Sequence, residues 1–333
     1  KRAEGAAGAA ASRDGLCVGL ADLRGARAEF TPLALKGVNL VKQADKPQGW
    51  ADVGGLDEVR QVVRETYEWP IRYPELFQVL EEAGRSHSGL LLFGYPGCGK
   101  THVANILASE YRAHLNFVHV KGPELLNKYI GASEQSVRQM FERAAAAQPC
   151  ILFFDEFEAI APKRGHDNTG VTDRVVNQFL TELDGVGKRK GVFVLAATSR
   201  PDLIDAALLR PGRFDKCLFC DMPSCADREA ILRAVARSMP LAPDVDLAAV
   251  AGRTDGFSGA DLQALLYNAQ LEGIHGAMDD GTSGSTPLVT AAHVTAALAT
   301  TRPSISPEER SHFESIYQKF RGLAPAGGSK EGD

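Results

Sequence analysis

The sequence predicts an α/β fold: a parallel sheet with helices on both faces, followed by a smaller all-helical unit. Three observations carry this. Apolar runs at residues 89–93, 116–120, 151–154, 192–197 and 217–220 alternate with amphipathic stretches, the pattern of strands buried on both sides. Two of the runs end in groups that strand packing does not need, a glycine-rich turn and a pair of acids. From residue 226 onward strand signals stop and helical spacing takes over.

Residues 1–47 read as a partly disordered linker or the remnant of a preceding domain. Their Ala/Gly-rich start (EGAAGAAAS) has no apolar signal-peptide core, and KPQG at 46–49 breaks structure. Residues 48–225 read as the large α/β unit. Its first run, GLLLF, leads into GYPGCGKT at 94–101, and a helix-compatible stretch, THVANILASEY, follows. In a strand-loop-helix context this is a phosphate cradle, with backbone N–H groups and the positive helix end facing the anion. Lys100 would reach the β- and γ-phosphates and Thr101 would hold Mg²⁺. Pro96, Gly97, Cys98, Gly99 and His102 complete the set expected at the nucleotide. The helix N-terminus and Lys100 should also favour a Cys98 thiolate.

The run CILFFDE ends in Asp155 and Glu156. Asp155 would hold Mg²⁺ and Glu156 would orient and polarise an attacking water, at the carboxyl end of a strand where open α/β sheets keep their sites. The bland alternative is a solvated strand edge. The run in GVFVLAATS ends at Ser199, and LLRPGRFD then places Arg210 and Arg213 around a Pro-Gly turn. That turn is expected to expose both guanidiniums, as arginines supplied in trans to a γ-phosphate require. KCLFC brings Cys217 and Cys220 into a CxxC, but a second pair at zinc spacing is missing and a core strand is the better account.

Residues 226–322 read as a small helical lid and a C-terminal helix. Helical spacing covers 227–239, 245–252, 259–278 and 290–302, with a loop at 280–287. Ser258 and Asp261 form a helix N-cap pair, and Ser306-Pro307-Glu308-Glu309 is a capping box with proline at the first helical position. The last helix carries Phe313, Ile316, Tyr317 and Phe320 on one face, spaced to pack on the lid or an adjacent subunit. The tail 323–333 reads as disordered.

Composition sets bounds. A chain of 333 residues, 44% hydrophobic and 24% charged, buries a core without disulfides, so its six cysteines read as free thiols. A net charge of −5 offers no basic excess for nucleic acid. No run approaches the ~18 apolar residues of a membrane span, so any membrane association is peripheral or through partners.

With these residues assembled, the chain resembles the AAA ATPases, from GWADVGGLDEV at 49–59 through FSGADL at 257–262 and beyond. Within that family, YIGASEQSVRQMF, ILFFDEFEAIAPKRGHDNTGVTDRVVNQ and ATSRPDLIDAALLRPGR are similar to the second ATPase domain of a peroxisome-biogenesis member. FTPLALKGVNL at 30–40 is similar to the end of a preceding ATPase domain and its linker. The resemblance implies the AAA+ P-loop fold with strand order 5-1-4-3-2, and ATP and Mg²⁺ as cofactors. It implies a hexamer alternating with a peroxin-6-like AAA ATPase that extracts ubiquitinated import receptor at the cytosolic face of the peroxisomal membrane. By similarity, Asp52, Val53, Gly54 and Gly55 lie beside the adenine, and Gly259 and Ala260 sit where the lid approaches the phosphates. Tyr129 and Ile130 would line a polypeptide-gripping pore, with GHDNTG at 165–170 as a second pore loop. The position of Ser199 is usually Asn in the family, which leaves water activation open. A general protein segregase and a nucleotide-binding assembly module without turnover stay open as alternatives.

Overall fold

Leu90, Leu91, Leu92 and Phe93 lie at the centre of the molecule because their strand, β1 (Gly89–Gly94), has a parallel neighbour on each side. The computed structural model describes residues 19, 49–73, 75–77, 89–112, 114–122, 133–163, 171–186, 191–279 and 287–322. The other strands are β2 (Asn116–Lys121), β3 (Cys150–Asp155), β4 (Val192–Thr198) and β5 (Phe214–Cys220). All pair in parallel in the order β2-β3-β4-β1-β5, which is the expected 5-1-4-3-2 read from the other edge. β5 begins at Phe214 rather than Cys217, because Phe214 is buried against Phe157 with ring centroids 5.1 Å apart.

Helices cover the sheet. α1 (Asp57–Val63) continues through a π-helical turn (Arg64–Glu68) into α2 (Trp69–Arg72). Val59, Val63 and Tyr67 from this stretch are buried, and the Tyr67 hydroxyl donates to the Val194 carbonyl at 2.9 Å, so the polar end of a core side chain is satisfied. α3 (Lys100–Glu110) follows β1 and buries Val103, Ala104, Ile106 and Leu107, the spacing of one helical face. α4 (Ser133–Ala146), the short α5 (Phe157–Ile160) and α6 (Val171–Val186) complete the unit. Their phenylalanines interlock edge to face around Phe154 and Phe179, whose centroids are 5.0 Å apart.

A second core begins after β5. α7 (Cys225–Ala236), α8 (Leu247–Arg253), α9 (Gly259–Asp279) and α10 (Ala291–Thr300) close on Leu232, Phe257, Leu262, Leu265, Leu266 and Val294. Short side chains start these helices. Ser224 and Asp227 form a capping box on α7, and Asp246 accepts from Ala248 and Ala249 at the start of α8.

The last helix, α11 (Pro307–Arg321), opens with the expected Ser306/Glu309 capping box. Its aromatic face, which spacing alone assigns to the lid or an adjacent subunit, packs on the large unit instead. Ile316, Tyr317 and Phe320 join the sheet core, with Phe93, Tyr95 and Phe219 as ring neighbours. Burial of a side chain such as Ile316 or Phe320 contributes roughly 1.5–3 kcal/mol, and the sheet edge offered the open aromatic surface. Almost all of the expected linker, the pore positions Tyr129 and Ile130, the segment 165–170 and the tail 323–333 lie outside the described residues.

Candidate active site

The loop between β1 and α3 is a chain of backbone turns that larger residues would block. Gly97 has φ +77, and a Cβ there would stand 2.7 Å from the Ser258 hydroxyl oxygen of the lid. The loop therefore turns sharply while touching the second unit. Lys100 is nearly buried, and its Nζ donates to the carbonyls of Gly94 and Tyr95, each at 2.8 Å. Burial pulls its ammonium below the usual lysine value. The side chain lies folded against its own loop, and reaching a phosphate means exchanging those two carbonyls for phosphate oxygens.

A cleft of about 280 Å³ opens beside it, lined among others by Pro96, Gly97, Gly99, Lys100, Thr101, His102, Asp155, Glu156 and Ser199. Thr101 Oγ1 donates to Asp155 Oδ2 at 2.9 Å, joining the first turn of α3 to the end of β3. Burial pushes the Asp155 carboxyl up, but the facing His119 ring, the Thr101 hydroxyl and the Glu156 N–H together hold it below its ordinary value. His119 Nε2 stands 3.7 Å from Oδ2, an electrostatic contact beyond hydrogen-bond length. This pair of oxygen donors suits Mg²⁺, which takes one or two protein oxygens and completes its shell with water and phosphate.

Glu156 is exposed and sits in the left-handed region at φ +51, with its N–H on Asp155 Oδ1 at 3.0 Å. Such a conformation in a non-glycine residue costs about 1–3 kcal/mol and clusters at functional sites. It turns the carboxylate away from the strand into the cleft mouth. Ser199 follows the end of β4, the strand that lies between the acid pair on β3 and the phosphate loop after β1.

A larger cleft of about 820 Å³ adjoins the first, lined by Asp52, Val53, Gly54, Gly55, Cys98, His102, Gly259 and Ala260, with Asp221, Ile231 and Tyr267. Here chain-distant segments meet. A Cβ on Gly54 would lie 2.2 Å from the Ile231 nitrogen, so only glycine lets these backbones approach. The Ala260 N–H donates to the Gly97 carbonyl at 3.1 Å, tying the first turn of α9 to the phosphate loop. Ser258 and Asp261 form the expected reciprocal cap beneath it, fully enclosed.

Two expectations are corrected. Cys98 is buried, its Sγ 3.6 Å from Met222 Sδ, and burial pushes its thiol up to about 12 despite Lys100. Desolvation outweighs the helix end, so the thiol is protonated rather than a thiolate. The turn at Pro211-Gly212 exposes Arg210, but not Arg213. Arg213 Nε and Nη2 bond Asp184 Oδ1 and Oδ2 at 2.7 and 2.9 Å, and its Nη1 donates to the Ala207 carbonyl. The Arg210 side chain makes no hydrogen bond or ion pair among the described residues, and neither arginine lines either of the two clefts. Sequence reading missed His119, Asp184, Ile231 and Tyr267; His119 alone had a local signal, a histidine set among the apolar residues Phe117, Val118 and Val120 of its strand.

Residues 90–222 match the family model described as "ATPase family associated with various cellular activities (AAA)", and residues 244–284 match the "AAA+ lid domain". The chain belongs to the AAA ATPase family. It is 58% identical to "Peroxisomal ATPase PEX1" of Homo sapiens over 279 residues, 82% of this chain and 21% of that protein. It is also 57% identical to the protein of that name from Dictyostelium discoideum over 75% of this chain and 20% of the relative. For Saccharomyces cerevisiae the identity is 54% over 74% and 24%. The chain spans about a fifth of the length of the curated relatives it matches.

Proposed function

We propose that this chain is the second ATPase domain of a peroxin-1-type protein, hydrolysing ATP with Mg²⁺ in a hexamer shared with a peroxin-6-like AAA ATPase. On this reading the ring draws ubiquitinated import receptor from the peroxisomal membrane, working peripherally at its cytosolic face. The peroxisomal role is supported by the names of the relatives. Among the described residues no helix is long and apolar enough to cross a membrane.

The observation that carries the reading is the convergence of Thr101 and Asp155 at 2.9 Å beside an exposed Glu156 in a cleft walled by the phosphate loop. Thr101 and Asp155 would hold Mg²⁺, which when bound neutralises charge on the phosphate oxygens. Glu156 accepts a proton from, and orients, the attacking water, while Ser199 offers a hydrogen bond from the end of the neighbouring strand β4. Lys100 leaves the Gly94 and Tyr95 carbonyls to meet phosphate. Arg210, exposed and with no side-chain partner among the described residues, is the group placed to reach a neighbour's nucleotide. Tyr129 and Ile130 would grip the polypeptide in the pore.

The test is ATP turnover by full-length rings assembled with a hydrolysis-deficient partner. Glu156→Gln is expected to lower kcat about 10²-fold or more with ADP affinity intact. Equal turnover by both proteins would mean that this domain is a nucleotide-held scaffold.

A further inference from the structure

Ser199 lies just past the hydrogen-bonded ladder of β4, whose register against β1 ends at Thr198 opposite Phe93. Its backbone carbonyl is held from outside the sheet. The Tyr317 hydroxyl donates to it at 3.0 Å, a bond between residues 118 positions apart.

Tyr317 is 2% exposed, and its ring meets Tyr95 edge to face at 5.0 Å. Tyr95 belongs to the phosphate loop and supplies one of the two carbonyls that hold Lys100. A single side chain of α11 thus touches both the phosphate loop and the end of β4. The helix is firmly seated, with Phe320 against Phe93 at 4.9 Å and the Arg321 guanidinium 3.9 Å over the Phe219 ring. A phenylalanine would fill the same volume, so packing does not account for the hydroxyl, which a buried site tolerates only when it is bonded.

We infer that Tyr317 is a positioning residue for hydrolysis: its hydroxyl fixes the Ser199 main chain, and through it the Ser199 side chain, at the phosphate cleft. The inference rests on the hydrolytic reading above. Burial also raises the phenol well above its ordinary value, so the group stays a donor throughout the physiological range.

The experiment is a double-mutant cycle in the full-length protein, assembled with a hydrolysis-deficient partner. Wild type, Tyr317→Phe, Ser199→Ala, the double variant and Glu156→Gln are compared for kcat, affinity for a fluorescent ADP, and ring assembly. Tyr317→Phe is expected to lower kcat about five-fold, the scale of one buried hydrogen bond, with ADP affinity and assembly unchanged. In the Ser199→Ala background the same change should have little further effect, because both act through one group. An unchanged kcat, an equal loss in both backgrounds, or a loss that accompanies failed assembly overturns the inference. Wild-type turnover no faster than that of Glu156→Gln overturns the hydrolytic reading itself and this inference with it, so the two failures are distinguishable.

Discussion

The phosphate wall of the cleft and its lid wall hold their residues by different means. On the phosphate wall, side chains project from strand ends and from the first turn of α3 around one continuous core, where Asp155 pins Thr101 and two carbonyls pin Lys100. On the lid wall two separate cores meet largely through main chain, Gly54 against Ile231 and the Ala260 N–H on the Gly97 carbonyl, with the exposed Arg237 side chain donating to the Ala51 carbonyl. The difference teaches where motion is inexpensive. Shifting the lid breaks few bonds and leaves both cores intact, whereas moving a catalytic carboxylate means disturbing the sheet. On the proposed mechanism the chemical step would use the sheet-anchored wall, and the lid wall is the one able to shift.

The largest expected effect lies on neither wall. Arg210→Ala should lower turnover of assembled rings by about 10³-fold while leaving the thermal midpoint unchanged, as a trans-acting arginine requires. Arg213→Ala should do the reverse in kind, lowering the midpoint because Asp184 and the Ala207 carbonyl lose their partner. Equal midpoints for the two variants would remove the distinction between a free and an anchored arginine.

Gly54→Val tests the lid wall directly. A side chain directed at the Ile231 backbone forces the two cores apart, costing ~1–3 kcal/mol of native contact. Isothermal titration should show ATP binding weakened roughly ten-fold, with kcat at saturation little changed. A kcat loss without an affinity loss would show that the lid wall takes part in the chemical step.

Cys98 lies where the walls meet, and burial keeps its thiol protonated, at about 12. Iodoacetamide near neutral pH should therefore modify exposed Cys225 well before Cys98, read by peptide mass mapping. Rapid Cys98 alkylation would mean that the lid wall opens far more often than its contacts suggest.

The smallest effect concerns Asp184. The bonds from Arg213 hold its carboxyl below the usual value, so its contribution to stability is present above the unfolded aspartate pKa near ~4 and is lost as pH falls through the lower folded value. Asp184 is more than half exposed, and solvent screening limits the effect to about 0.5 kcal/mol or less. Denaturation midpoints of wild type and Asp184→Asn should therefore converge below that pH. A gap that persists in acid would assign the difference to packing.

Legibility followed sequence distance. The phosphate wall was readable because its residues are contiguous: strand, glycine turn and helix run from 89 to 110, and Asp155 and Glu156 directly follow their strand. On the lid wall the glycines were found only through family resemblance, and Ile231 and Tyr267 were missed, since nothing near residue 54 announces a neighbour at 231.

The sequence by itself determined the parallel sheet, the phosphate loop, the acid pair and the capped helices, because periodicity, turn chemistry and caps depend on residues within a few positions of one another. Tertiary packing alone sets that Lys100 folds onto its own loop, that Arg213 is taken by Asp184 while the Arg210 side chain has no partner among the described residues, and that Cys98 keeps its proton. The seat of α11 on the sheet edge belongs with these. Each depends on burial and on partners far along the chain, and those are set by how the elements pack.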